Sequence, residues 1–109
     1  MKIYFKSRKL QKTLSSERAI KQTYGKNAKI IMRRLKEIQT VNNLAVLFRM
    51  PGKHHPLDGD RKGQFACWLT GNDRLIYKPV DAPLPLDEQG TLIYREVKSV
   101  VIVEIEDYH

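Results

Sequence analysis

The feature that most limits what this chain can become is a change of hydrophobic period at Pro51-Gly52. Before it, apolar residues recur every three or four positions, which gathers side chains on one face of an α-helix. Beyond it they sort by twos, the period of a strand. The helical signal is clearest where Ala28, Ile31, Leu35 and Ile38 form one stripe, while Lys26, Lys29, Arg33 and Lys36 repeat the same 3-4-3 spacing on another. This predicts an amphipathic helix from Lys26 to near Thr40, with a core face and a basic face. The strand signal is clearest from Gln64 to Thr70, where Phe65, Cys67 and Leu69 alternate with Ala66 and Trp68. A strand buried largely on both sides is expected there, with Trp68 and Tyr77 both in the core.

Weaker signals fill in the rest. Lys2 to Phe5 suits a short first strand. Ser7 can cap a helix carrying Leu10 and Leu14, and Ile20 and Tyr24 repeat the four-residue spacing from Glu17 to Tyr24 before Gly25 interrupts. Asn43 can cap a last short helix through Leu44, Leu47 and Phe48. Gly71-Asn72-Asp73 is a turn signal, with a returning strand from Arg74 to Lys78. Asp81 to Gly90 reads as a long exposed loop, and Pro79, Pro83 and Pro85 argue against a central strand there. The terminal strand places Val97, Val101, Val103 and Ile105 in alternation with Lys98, Val100, Ile102 and Glu104. Helices followed by strands indicate an α+β fold, a mostly antiparallel sheet of about four strands with two or three N-terminal helices packed on one face.

The 109 residues match one domain, 1–109, on the usual allowance of about 100 to 200 residues. No apolar run approaches the roughly 20 residues that span a bilayer. The first six residues lack the apolar segment of an export signal, so a cytoplasmic protein with no membrane association is expected. The single cysteine, Cys67, agrees with a reducing compartment and reads as a small buried hydrophobe. The net charge of +8 is lopsided: residues 1–55 hold 14 lysines and arginines against 2 acids, whereas residues 56–109 hold 6 against 10. The amino-terminal half is the candidate polyanion surface.

Chemistry concentrates in the stretch His54 to Asn72 and in Asp107, Tyr108 and His109. Imidazoles exchange protons near neutral pH, and the Gly-Asp-Arg-Lys-Gly turn at 59–63 puts Arg61 and Lys62 beside them. Imidazole next to fixed positive charge suits phosphodiester cleavage. No Cys-x-x-Cys or His-x-x-x-His spacing and no phosphate-cradling glycine loop occurs, so neither a metal nor a cofactor is expected.

These motifs carry a resemblance. The Tyr24-Gly25 lead-in to the long helix, Pro51-Gly52, His55-Pro56-Leu57 with Gly59-Asp60-Arg61-Lys62-Gly63-Gln64, Asn72-Asp73-Arg74-Leu75 and the closing Glu106-Asp107-Tyr108-His109 together resemble HigB-type toxins of the RelE/ParE superfamily. The resemblance implies a RelE/ParE-like fold and a ribosome-dependent endoribonuclease that cuts messenger RNA without a metal. It implies an antitoxin partner with a helix-turn-helix domain, similar to HigA, and contact with operator DNA only through that complex. On this resemblance the functional positions are His55, Arg74, Asp107, Tyr108 and His109. His55 and His109 would transfer protons, in an order that the sequence leaves open. Arg74, with Arg61 or Lys62, would meet charge on the phosphate, because Asp58 stands where related toxins often carry a basic residue. Tyr108 would stack on a base or orient the sugar, and Asp107 would hold an imidazole. The basic face of Lys26, Lys29, Arg33 and Lys36 would meet ribosomal RNA. Two other readings share the same residues: a ParE-like inhibitor of DNA gyrase that cleaves nothing, and a basic accessory protein that binds nucleic acid by charge alone.

Overall fold

The chain begins extended, in strand β1 (Lys2–Phe5). Ser7 then takes β-region backbone and its hydroxyl accepts from the Leu10 amide, which starts helix α1 (Arg8–Leu14). Ser16 does the same for the Ala19 amide at the head of α2 (Glu17–Tyr24). Each cap satisfies an amide that the helix itself cannot, worth about 1 kcal/mol. Gly25, at φ +55°, adopts a backbone that a Cβ disfavours and opens a 3-10 turn, Gly25–Asn27. Because that turn takes these residues, α3 (Ala28–Thr40) starts two residues later than the basic stripe suggested. Its far end is closed by the Met1 α-amino group, which donates to the Ile38 and Gln39 carbonyls at 3.0 Å, a cation where the helix dipole favours one. Asn43 caps the short α4 (Leu44–Leu47) through the Val46 amide.

The computed structural model describes residues 1–107. Past the helices come β2 (His55–Pro56), β3 (Phe65–Trp68), β4 (Asp73–Pro79) and β5 (Ser99–Asp107). The five strands run in the order β1-β5-β4-β3-β2. β1 pairs parallel with β5, and the other pairings are antiparallel. The expected four strands become five because β2 is two residues long, too short to show any alternation in sequence. Pro79 was expected outside a central strand, yet it closes β4. It is tolerated there because β3 pairs with β4 no further than Tyr77, so Pro79 has a ladder partner only in β5.

All the helices lie against one face of the sheet. Ile31 and Ile38 of α3 and Leu44 and Leu47 of α4 bury against Cys67, Leu75, Tyr77 and Ile102. Within α3 the buried residues are Ala28, Ile31, Arg34 and Ile38, with Leu35 only half-buried. An arginine thus stands on the core face where a leucine was expected. It is tolerated because its charge is paired and its guanidinium hydrogen-bonded: Nε donates to the Trp68 carbonyl at 3.0 Å and Nη1 to Glu37 at 2.7 Å. Gly52, at φ +110°, lies against the same guanidinium; a Cβ there would fall 2.7 Å from Arg34 Nε. Among the described residues, no helix is long and apolar enough to cross a membrane.

The terminal strand departs from simple alternation. Tyr77 pairs with Ile102 but Ile76 pairs with Glu104, so Val103 is the extra residue of a bulge. Ile102 and Ile105 consequently share the helix-covered face, whereas Val103 joins Ala66 and Ile76 on the other. The expected grouping of Val101, Val103 and Ile105 on one face therefore breaks at the bulge.

Candidate active site

The face of the sheet away from the helices carries the candidate chemistry, and strand register decides what meets there. One row across the sheet runs His55, Ala66, Ile76, Glu104. The next runs Trp68, Arg74, Glu106. Glu104 and Glu106 reach this face because the bulge at Val103 reverses the side to which the end of β5 points. The turn after β2 folds back over the first row: Leu57 packs on Ala66, Ile76 and Val103, and the 3-10 turn Gly59–Arg61 brings Arg61 above Glu104.

Arg61 is held by three groups. Nη1 donates to Gln64 at 2.7 Å, Nη2 bonds Glu104, and Nε lies 3.8 Å from Glu106 Oε2. Arg74 Nη2 stands 3.4 Å from the same Glu106 oxygen. One carboxylate thus bridges two guanidinium groups whose side chains are 30% and 18% exposed. This fixes both arginines over the sheet, and an incoming phosphate would share them with Glu104 and Glu106. In the sequence Glu104 counts only as a strand residue and Glu106 only as part of the closing motif, neither with a role. Their signal was the alternation of Glu104 and Glu106 with Ile105, hidden because the bulge sets which face they take.

The two adjacent histidines fall on opposite sides. His54 is buried, with Nδ1 2.7 Å from the Tyr77 hydroxyl. Burial pushes its pKa down to about 4, and the charge of Arg34 adds to the effect, against the Pro51 carbonyl, which raises it. His54 is therefore a neutral structural residue at physiological pH. His55 faces the open side, with Nδ1 2.7 Å from the Lys53 carbonyl oxygen. A carbonyl can only accept, so in that bond Nδ1 carries the proton. Nε2 of the neutral ring is then an acceptor, the form a general base requires.

The other candidates lie apart from this cluster or beyond what is described. Lys62 is exposed and lines a groove of about 740 Å³ with Pro56, Leu57, Leu84 and Leu86 rather than the arginine row. Lys26, Lys29, Arg33 and Lys36 are all exposed; the last three lie on the side of α3 opposite its buried stripe, so the helix layer and the sheet separate them from His55. Asp107 ends β5, exposed and paired in register with Asp73. Tyr108 and His109 lie outside the described residues. Cys67 is buried, its thiol pushed up to about 12 chiefly by desolvation, which removes it as a nucleophile. Trp68, expected in the core, is 46% exposed on the open face.

No family model and no curated protein matches the chain. Solved structures do. A YoeB/ParE toxin from Agrobacterium tumefaciens superposes over 100% of both chains with a TM-score of 0.61 at 14% identity. The YoeB dimer from Staphylococcus aureus covers 100% of this chain and 98% of its own, with a TM-score of 0.57 at 19% identity. The fold is that of the YoeB/ParE toxins. In this YoeB/ParE-like frame His55, Arg61 and Arg74 share the open face, and the helix layer covers the other side.

Proposed function

We propose that the chain is the toxin of a toxin-antitoxin pair and cleaves messenger RNA on the ribosome, as an endoribonuclease of the HigB type. The observation that carries this reading is that one sheet face presents both an imidazole with an available Nε2, at His55, and two guanidinium groups bridged by one carboxylate, at Arg61 and Arg74. His55 takes the proton of a ribose 2′-hydroxyl as its oxygen attacks the adjacent phosphorus. The 5′-oxygen leaves with a proton from a second group, a role that falls to His109, and a 2′,3′-cyclic phosphate results. Arg74 and Arg61 meet the charge that grows on the phosphorane oxygens, where preorganised donors are worth most. Asp107 orients an imidazole and Tyr108 stacks on a base. Lys29, Arg33 and Lys36, facing the opposite way, hold ribosomal RNA phosphate together with Lys26, while Lys62 supplies charge at the margin. The partner is an antitoxin with a helix-turn-helix domain, through which alone the pair meets operator DNA.

A gyrase-inhibiting binder on the same fold has no evident use for an imidazole held in one tautomer on the same face as two bridged arginines. The test is to incubate the purified chain with ribosomes programmed by a defined messenger and map new 5′ ends by primer extension. Cleavage by the wild type and its loss in His55→Ala support the reading. Undiminished cleavage by a folded His55→Ala protein would overturn the assignment of the base.

A further inference from the structure

The exposed Trp68 is held more tightly than an exposed side chain needs to be. Its amide donates to the Gly52 carbonyl at 2.7 Å, and its carbonyl accepts from the buried Arg34 guanidinium at 3.0 Å. Both bonds come from outside the sheet ladder. Gly52 and Lys53 are consecutive left-handed residues, at φ +110° and +53°. For a lysine that backbone is uncommon and persists only where its surroundings hold it. From that turn Lys53 Nζ reaches to 4.1 Å from the indole centroid, and the Lys53 carbonyl is also the group that fixes His55. Trp68 stands directly across the strand pair from Arg74. Beside them lies a cavity of about 250 Å³, lined by Trp68, Arg74 and the hairpin residues Gly71, Asn72 and Asp73. The hairpin is itself anchored, since Asn27 bonds both Thr70 and Asp73.

An aromatic ring that is 46% exposed, fixed at both backbone groups and flanked by cations, matches what binds unpaired nucleic acid: a π surface for the base and positive charge for the backbone. We propose that Trp68 is the stacking platform for one unpaired base of the RNA: the Lys53 ammonium, which lies over the ring, moves from it to a phosphate as the base takes that face, and Arg74 across the strand pair is the second phosphate contact. The inference rests on the RNA reading given above and adds to it a base-contacting residue outside the proton-transfer and charge-stabilising set. Binding by charge alone would need no ring here.

The probe is a labelled, mixed-sequence single-stranded RNA decamer, with a decamer of the same length lacking every base as its control. Binding is followed by anisotropy for the wild type, Trp68→Ala and Trp68→Phe. Trp68→Ala should weaken binding of the base-bearing decamer roughly tenfold or more and leave the abasic decamer unchanged, and Trp68→Phe should restore most of the loss. Because the chain contains one tryptophan, wild-type indole emission should also be quenched by the base-bearing decamer and not by the abasic one. Equal affinity of a folded Trp68→Ala protein for the base-bearing decamer would overturn the platform while leaving RNA cleavage standing. Failure of the wild type to bind the base-bearing decamer at low salt would also overturn the platform, whereas the RNA reading falls only if the wild type does not cleave messenger on programmed ribosomes.

Discussion

Arg34 carries more of the structure than any other charged residue, because it is buried and joins α3 to the end of β3 and the Gly52 turn. Removing it leaves the Glu37 carboxylate and the Trp68 carbonyl without their partner in a dry site. Arg34→Ala should therefore cost about 3 to 5 kcal/mol, read as a lowered urea midpoint, whereas Arg33→Ala, one position away and exposed, should change it little. His54 makes a pH-dependent contribution. Its folded pKa of about 4 lies below the roughly 6.5 of an unfolded histidine, so the unfolded chain binds the extra proton between those values. The contribution is complete above about pH 6.5 and is lost as pH falls towards 4, with a slope of up to about 1.4 kcal/mol per pH unit. His54→Asn, which can still accept from the Tyr77 hydroxyl, should flatten that part of the stability profile; an unchanged slope would mean that other groups set it. At Arg74, loss of a transition-state contact should slow cleavage by about 10²- to 10³-fold in Arg74→Ala. Single-turnover cleavage on programmed ribosomes measures this directly.

Among the elements, α3 makes the most distinct prediction, since on the proposed reading its two long faces have different tasks. Lys29→Glu with Arg33→Glu reverses charge on the exposed side without touching the core. Sedimentation with ribosomes at several salt concentrations should show weak association and a shallower salt dependence. The chemistry itself, by contrast, should survive, so single-turnover cleavage should recover once ribosomes are concentrated enough to restore association. A variant that sediments normally but no longer cleaves would mean that binding and chemistry had been assigned to the wrong faces. α3 and the start of β3 were legible in the sequence because local period and burial agree there: Ile31, Ile38, Phe65 and Cys67 are all in the core. Trp68 obeyed the same alternation and still lies open. β2 pairs only through His55 and Pro56, opposite Ala66 and Phe65, so on that side no strand flanks the indole. The placement of Glu104 was hidden for a different reason. It depends on a bulge defined by pairing with β4, a non-local event that no window of β5 reveals. The Arg61–Glu104 bond spans 43 positions and was beyond the reach of any motif.

For the molecule as a whole, the proposed function divides the work between one layer of helices and one open sheet face. The helix side offers an exposed cationic stripe without an acid-base group among Lys26, Lys29, Arg33 and Lys36. The open face offers an imidazole, two bridged arginines and an indole. The fold alone does not choose between cutting RNA and blocking another enzyme, so the central claim rests on the chemistry of that open face. The most direct measurement is to induce the chain in a bacterium, alongside His55→Ala and Arg74→Ala, and to map messenger RNA 5′ ends across the transcriptome. The account predicts that wild-type induction arrests growth with abundant new 5′ ends inside translated coding sequence, and that both variants lose the ends and the arrest together. Growth arrest by the wild type with an unaltered set of messenger 5′ ends would contradict it.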